Sequence, residues 1–98
     1  MDIKTTSARI LVDYDVEGAP ATELLYTNGL TVDPGHVTVE LEGSADGWEL
    51  SRVQVTGRRL LKSGEAGNRF HSGFWIYDDD RMPEWVRDLV KQTIEDLK

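Results

Sequence analysis

The sequence has 98 residues and no cysteine, which predicts one domain and excludes a disulfide framework, a thiolate metal site and a cysteine nucleophile. Hydrophobic residues make up 39% and charged residues 30% of the chain, as is typical of a soluble globular protein. Its apolar runs are too short for a membrane-spanning helix of about 20 residues, and its first residues do not resemble a secretory signal, so we expect a cytoplasmic protein.

Charge is distributed unevenly along the chain. The net charge is −7, with a balance of −8 over residues 1–50, +4 over residues 51–70 and −3 over residues 71–98. The overall negative charge repels nucleic acid at long range. The arginines of residues 51–70 either pair with acids on neighbouring strands or form a local anion-binding patch, and the sequence leaves both interpretations open.

The first elements are predicted from alternation of apolar and polar residues. Residues 8–16 alternate, with Ile10, Val12 and Tyr14 on one face, which predicts a half-buried strand. The preceding residues 1–7 show little pattern and are expected to form a flexible arm or a frayed strand start. Residues 22–27 predict a second short strand, although a single helical turn is an alternative.

Turn residues divide the next part of the chain. Asn28-Gly29 and Asp33-Pro34-Gly35 each predict a turn, because Asn and Gly tolerate a positive φ and Pro presets the first turn position. Residues 37–42 then alternate cleanly and predict a strand with one wet face. Residues 43–47 contain turn-forming residues and predict a five-residue loop.

The longest predicted strand, over residues 48–60, changes phase midway. Trp48 and Leu50 occupy even positions, whereas Val53 and Val55 occupy odd ones. A strand with one buried face can accommodate this change only with an extra residue, so we predict a β-bulge near Ser51-Arg52. A polar, glycine-bearing loop is expected over residues 62–67.

The last predicted strand, residues 69–77, carries large apolar side chains on both faces. Phe70, Phe74 and Ile76 share one face, while His71, Trp75 and Tyr77 share the opposite face with Gly73. Gly73 leaves room beside Trp75 for another backbone or ring to approach. One helix can cover only one face, so the face of His71, Trp75 and Tyr77 is expected either to stay open or to be enclosed by a curled sheet.

A single convincing helix follows Pro83, which suits the first helical position. Its apolar stripe at helical spacing consists of Trp85, Val86, Leu89, Val90, Ile94 and Leu97. The predicted fold class is therefore α+β: a four- to five-stranded, mostly antiparallel sheet followed by one C-terminal helix packed on one face. Residues 1–98 are expected to form a single domain.

No pattern of residues points to catalysis. His36 and His71 are the only histidines, and neither has the spacing of a zinc site. The run Asp78-Asp79-Asp80 lacks the alternation of a calcium loop and suits the positive end of the following helix. No serine has a nucleophile-elbow frame, and no glycine-rich loop has phosphate-loop spacing. We therefore predict a non-enzymatic protein with no catalytic residues, no metal and no cofactor.

The remaining features indicate binding. Trp and Tyr anchor interfaces because they bury a large area with few rotatable bonds, so His71, Trp75 and Tyr77 are interface candidates. The basic residues Arg58, Arg59, Lys62 and Arg69 are further candidates. The leading hypothesis is a protein-binding accessory module with an unknown protein partner, and a homodimer with Trp75 near its centre is one possibility. Alternatives are a nucleic-acid-associated protein that uses residues 52–69, or an acidic mimic of nucleic acid.

The C-terminal part of the chain, from Gly57-Arg58-Arg59 through Asp78-Asp79 to Pro83-Glu84-Trp85-Val86-Arg87, resembles small uncharacterised proteins of actinobacteria and their phages. Such proteins often end in a helix that begins Pro-Glu-Trp. The resemblance covers about the last 40 residues by the extent of these motifs. It implies a small accessory protein of a phage or mobile element, and it assigns no catalytic residue.

Overall fold

The computed structural model describes residues 8–24, 30–44, 47–77 and 79–98. The elements in chain order are β1 (Ala8–Asp15), β2 (Thr22–Leu24), β3 (Leu30–Ser44), β4 (Gly47–Leu60), β5 (Ala66–Ile76) and α1 (Glu84–Asp96). The predicted α+β fold is confirmed, because the five strands form one antiparallel sheet and the C-terminal helix packs on it.

The strands β3, β4 and β5 form a meander, and β1 pairs with the other edge of β3, giving the order β1-β3-β4-β5. The short strand β2 pairs with the first residues of β3, and β1 pairs with its later residues from His36 to Gly43. Both therefore lie along the same edge of β3, one after the other. The strand β5 ends the order at the opposite side of the sheet.

One face of the sheet forms the core, and we call it the inner face. Cross-strand pairing aligns Val39 with Val53, and Val53 with Trp75, and all three side chains are buried. The helix contributes Val86 and Val90 to the same hydrophobic cluster. The periodicity of two in the strands thus places their alternate apolar residues under the helix.

Two side-chain hydrogen bonds tie the helix to the strands at the sheet edge. The Trp85 Nε1–H donates to Thr22 Oγ1 at 3.0 Å, and the hydroxyls of Tyr14 and Thr93 lie 2.5 Å apart. The sheet also curls, since Leu24 of β2 lies against β5 at Gly73. A Cβ at Gly73 would lie 3.0 Å from Leu24 Cβ, so glycine permits the close approach that the sequence predicts there.

The predicted bulge in β4 is confirmed. Glu40 pairs with Arg52 and Leu41 pairs with Leu50, which leaves Ser51 as an extra residue on β4. The extra residue returns Leu50 to the inner face, where it is buried like Val53.

Two predicted turns are wrong in detail. Asp33-Pro34-Gly35 is not a turn, because β3 continues through it with a register shift between Pro34 and His36. Pro34 lies after the pairing with β2 ends and before the pairing with β1 begins, which suits a residue without an N–H. The predicted loop over residues 43–47 is shorter, since Ser44 pairs with Gly47 in a tight hairpin.

Other boundaries differ by a few residues. The strand β5 begins at Ala66, inside the predicted loop, and ends before Tyr77. Pro83 is the N-cap of α1 and not its first helical residue. Leu97, predicted as part of the buried stripe, is 37% exposed. The predicted arm over residues 1–7 and the Asn28-Gly29 turn lie outside the described residues. No helix among the described residues is long and apolar enough to cross a membrane.

Candidate functional site

The sheet face opposite the helix is the candidate site, and we call it the outer face. On its β4–β5 half, cross-strand pairing places Arg52 beside Ile76, Gln54 beside Phe74, Thr56 beside Ser72, and Arg58 beside Phe70. The alternation of β5 is thus as predicted, with Phe70, Phe74 and Ile76 together on one face. No described element packs over these residues.

Large apolar side chains stand exposed on this half. Phe70 is 63% exposed, Ile76 is 52% exposed and Phe74 is 40% exposed. Their neighbours on β4 are cationic: the Arg58 guanidinium lies 5.4 Å from the Phe70 ring centre, and that of Arg52 lies 5.9 Å from the Phe74 ring. Each distance lies within the range of a cation–π contact. We call this surface the basic-aromatic half.

The β1–β3 half of the outer face is acidic. It consists of strand positions in register with the basic-aromatic half: Arg9, Leu11, Asp13, Asp15, Asp33, His36, Thr38, Glu40 and Glu42. Leu11 is 59% exposed and lies in the same cross-strand row as Glu40, Arg52 and Ile76. We call this surface the acidic half.

Hydrogen bonds order the acidic half. The Thr38 hydroxyl donates to Asp13 Oδ1 at 2.6 Å, and His36 Nε2 lies 3.3 Å from the same oxygen. The hydrogen bond from Thr38, assisted by His36, holds the pKa of Asp13 below its usual value. His36 Nδ1 also lies 3.6 Å from Asp15, so the imidazole bridges two carboxylates.

The two halves meet in a polar seam between β3 and β4. The Glu40 carboxylate accepts a hydrogen bond from the Ser51 hydroxyl at 3.1 Å and lies 4.0 Å from the Arg52 guanidinium. The Glu40 side chain is only 14% exposed, whereas that of Arg52 is 48% exposed. Arg52 therefore keeps much of its surface available for another molecule.

A groove of about 440 Å³ continues the outer face toward Pro34 and Gly35 of β3. Its lining includes Asp33, Arg58 and Phe70, together with Asp15 and Glu17 at the end of β1. The groove therefore has acidic side chains and the Arg58 guanidinium close to the Phe70 ring. Among the described residues, no group of three or more His, Asp or Glu side chains could hold a metal ion.

Of the two alternatives for the face of Trp75, the structure has the enclosed one. Trp75 is 1% exposed on the inner face, where α1 and β2 cover the sheet, so it belongs to the core and does not anchor an interface of the folded chain. His71 lies on the same side and is half-buried. Tyr77 follows the end of β5 and is 64% exposed, beside a second groove near Trp48 and Met82.

The predicted basic patch is divided. Arg58 lies on the outer face, whereas Arg59 is the next residue along the strand and Arg69 precedes Phe70. Arg59 and Arg69 instead line a hollow near the β4–β5 turn, with Leu61 among its other residues. Lys62 is exposed in that turn. The structure therefore brings Arg58 to the aromatic rings but does not unite the four basic residues on one face.

Sequence reasoning did not select Leu11, Phe74 or Ile76, which the outer face exposes, and it considered Arg52 and Phe70 only for the nucleic-acid alternative. The usable signal was the hairpin register. The strands pair symmetrically about Gly64, which has a φ of +88°, so that Val53 lies opposite Trp75 and Gln54 opposite Phe74. Buried valines on β4 thus identify Trp75 as core and Phe74 as outward. No protein-family model, curated protein or solved structure matches this chain.

Proposed function

We propose that this chain is a small non-enzymatic accessory module, active in the cytoplasm, that binds a protein partner on the outer face. The observation that carries this proposal is the exposure of Phe70, Phe74 and Ile76 on one face of β5, with Phe74 and Ile76 adjacent and Ser72 between Phe70 and Phe74. Contiguous exposed apolar side chains rimmed by polar ones mark interaction surfaces. The resemblance of the C-terminal part adds the hypothesis that the module is encoded by a phage or mobile element.

The arginines of β4 strengthen this proposal. Aromatic rings and arginines are both enriched at the centres of protein interfaces, and charge is the main determinant of orientation there. Arg52 and Arg58 stack over Phe74 and Phe70, so each cation is already held close to the apolar surface that a partner would cover. Less side-chain freedom is then lost when the partner binds.

Affinity purification with matched variants tests the proposal. Phe70→Ser combined with Ile76→Ser removes exposed apolar surface from the outer face, and Leu97→Ser removes an exposed leucine from the helix on the other side of the sheet. We expect one host protein to be enriched by the natural chain and by Leu97→Ser, but not by the double variant. The purified pair should then show a dissociation constant at least tenfold weaker for the double variant. Equal binding by all three chains would reject the outer face as the site.

Single-stranded nucleic acid is a second candidate partner. Bases can stack on Phe70 and Phe74 while phosphates contact Arg58 and Arg52, which is how sequence-tolerant binders work. The net charge of −7 and the adjacent acidic half oppose this candidate. We expect no binding tighter than about micromolar to a labelled oligonucleotide at about 0.15 M salt. A nanomolar complex that weakens steeply with salt would make nucleic acid the leading candidate.

A further inference from the structure

We infer that the partner of the outer face is a second copy of this chain, packed face to face about a twofold axis that runs along the strands. This inference rests on the proposed function, since it uses the same surface. The charge distribution of the outer face favours one geometry, because the acids lie on β1 and β3 and the arginines lie beside phenylalanines on β4 and β5. Rotation about that axis brings opposite halves together.

The pairing register fixes which residues would meet. A twofold axis parallel to the strands leaves positions along the strands unchanged while it exchanges the two sides of the sheet. The strand β5 of one copy then lies over β1 of the other, and β4 lies over β3. Sheets packed face to face lie about 10 Å apart, so side chains of one cross-strand row meet the same row of the second copy.

Two rows match in chemistry. Leu11, Glu40, Arg52 and Ile76 form one row, so the exposed Ile76 faces Leu11 of the second copy, and Arg52 faces its Glu40. Another row contains Asp33, Arg58 and Phe70, so Arg58 faces Asp33 of the second copy. Two rows lie between them: one places Phe74 over Asp13 of the second copy, and the other places Thr56 over its His36 and Ser72 over its Asp15. Apolar groups therefore meet at one end of the face, while each arginine meets an acid.

Other twofold arrangements match less well. An axis across the strands, in the plane between the sheets, would place β4 over β4 and bring the arginines of both copies together. Pairing of the two β5 edges would join strands that each carry Arg69 and no acidic residue, so it would leave the arginines of β4 without opposite charges. Like charges brought close across an interface are unfavourable, so the charge pattern selects the arrangement that exchanges the halves.

Association is tested first by mass at equilibrium. Sedimentation equilibrium of the full chain across micromolar to millimolar concentration should show twice the 11.1 kDa of one chain at the upper end. Ile76→Ser, which removes the contact with Leu11 of the second copy, should weaken self-association at least tenfold, and Leu97→Ser should leave it unchanged. A natural chain that stays monomeric over the whole range would overturn the inference.

Engineered cysteines test the geometry, since the natural chain has none. Positions 11 and 76 lie three strand spacings apart within one chain, about 14 Å, but face each other between copies. Chains carrying Leu11→Cys alone and Ile76→Cys alone are mixed and treated with a bis-maleimide that spans packed sheets, about 10 Å. We expect mixed cross-linked dimers to exceed those of either variant alone. Preferential coupling of Ile76→Cys to itself would indicate edge pairing and overturn the face-to-face arrangement.

These results separate the two proposals. If the chain is monomeric and does not cross-link, the second copy is rejected, while binding of a different protein is still decided by the matched-variant purification. If the natural chain is monomeric and binds a different protein that the double variant Phe70→Ser, Ile76→Ser no longer binds, the proposed function holds without the second copy. Oligonucleotide binding that disappears in Phe70→Ser would reject both in favour of nucleic acid.

Discussion

The Trp75 indole fills the centre of the inner face. It is 1% exposed and pairs across the strands with the fully buried Val53. We expect Trp75→Ala to lower the free energy of unfolding by about 3–5 kcal/mol, as for other buried Trp or Phe truncations. Urea unfolding followed by circular dichroism measures this change. The matched variant Phe70→Ala, at a residue 63% exposed, should stay within about 0.5 kcal/mol of the natural chain. Similar losses in both variants would contradict the assigned faces.

The Asp13 carboxylate offers a prediction on pH. Its pKa is lowered mainly by the Thr38 hydrogen bond, so ionised Asp13 favours the folded state. That contribution is present above the pKa that Asp13 has in the unfolded chain and is lost as the pH falls through its lower, folded-state pKa. Thr38→Val should raise the folded-state pKa of Asp13 toward its usual value. Carboxyl-carbon NMR titration measures this shift, and Thr56→Val, on the same face but bonded to Ser72, should leave it unchanged.

At the scale of elements, close contact between β2 and β5 depends on Gly73. A methyl group there would lie 3.0 Å from both Cβ and Cδ2 of Leu24, so Gly73→Ala should destabilise the fold by about 1–3 kcal/mol through overpacking. Leu24→Ala removes the obstructing side chain at the cost of a cavity. A double-mutant cycle should therefore show that Gly73→Ala is less harmful in the Leu24→Ala background, as measured by urea unfolding. An equal loss in both backgrounds would exclude direct steric coupling.

The hydrogen bond between α1 and β2 gives a second element-scale prediction. Thr22 is 2% exposed, and its hydroxyl accepts from Trp85 Nε1 and donates to the Pro20 carbonyl at 2.9 Å. Thr22→Val leaves both groups without this partner, so we expect a loss of about 1–3 kcal/mol in the free energy of unfolding. Thermal unfolding monitored at the helix band measures it. Thr22→Ser retains the hydroxyl and should lose less, and a Thr22→Val chain as stable as the natural one would show that the bond contributes nothing.

The elements that follow strict alternation were predictable from the sequence. The strand at residues 8–16 and the helix after Pro83 appear as expected, and the phase change between Leu50 and Val53 located the bulge at Ser51. Prediction failed where tertiary pairing overrides local preference. Asp33-Pro34-Gly35 has ideal turn chemistry, but pairing with β4 on one side continues β3 through it. Glycine at position 57 permits this, because a Cβ there would lie 2.3 Å from the Asp33 carbonyl oxygen.

The candidate site was predicted only in part, because it too depends on how the strands pair. The two faces of β5 were separated correctly, since alternation is a local property of the strand. Which face lies under the helix depends on pairing with β4, so alternation alone leaves Trp75 either in the core or at an interface. The register about Gly64 decides between them, because it places Trp75 opposite the buried Val53. The exposed face then contains Phe70 beside Arg58, a pairing that no spacing along one strand reveals.

At the scale of the whole molecule, the main features are an elongated shape, which comes from the long strands, and an excess of acidic side chains. The molecule measures 61 × 24 × 23 Å, and the 15 residues of β3 alone span about 50 Å. With a net charge of −7, the acidic side chains of the folded molecule repel one another. Several ion pairs of the described residues, such as Arg9 with Glu42, are exposed and therefore contribute little stability. The outer face is therefore one feature of a molecule whose surface is acidic overall.

The net charge of −7 predicts that the stability of the fold depends on salt concentration. We expect the melting temperature to rise by about 2–4 °C between low salt and 0.5 M sodium chloride, because screening relieves about 0.5 kcal/mol of repulsion. Differential scanning calorimetry at a concentration low enough to keep the chain monomeric measures the effect. A chain neutralised at exposed positions away from the outer face, Asp88→Asn with Glu95→Gln, should respond less. A melting temperature that falls with salt would mean that attractive pairs outweigh the net repulsion.

The position of α1 at the end of the element order has a consequence for synthesis on the ribosome. All five strands are made before the helix, and the β3–β4–β5 meander uses neighbouring segments whose pairing needs no later residue. Until Val86 and Val90 emerge, the sheet has Trp75 bare on one side and Phe70 bare on the other. The newly made chain therefore passes through a stage with two exposed apolar surfaces, so its yield in a cell should depend on how quickly α1 docks after the strands have paired.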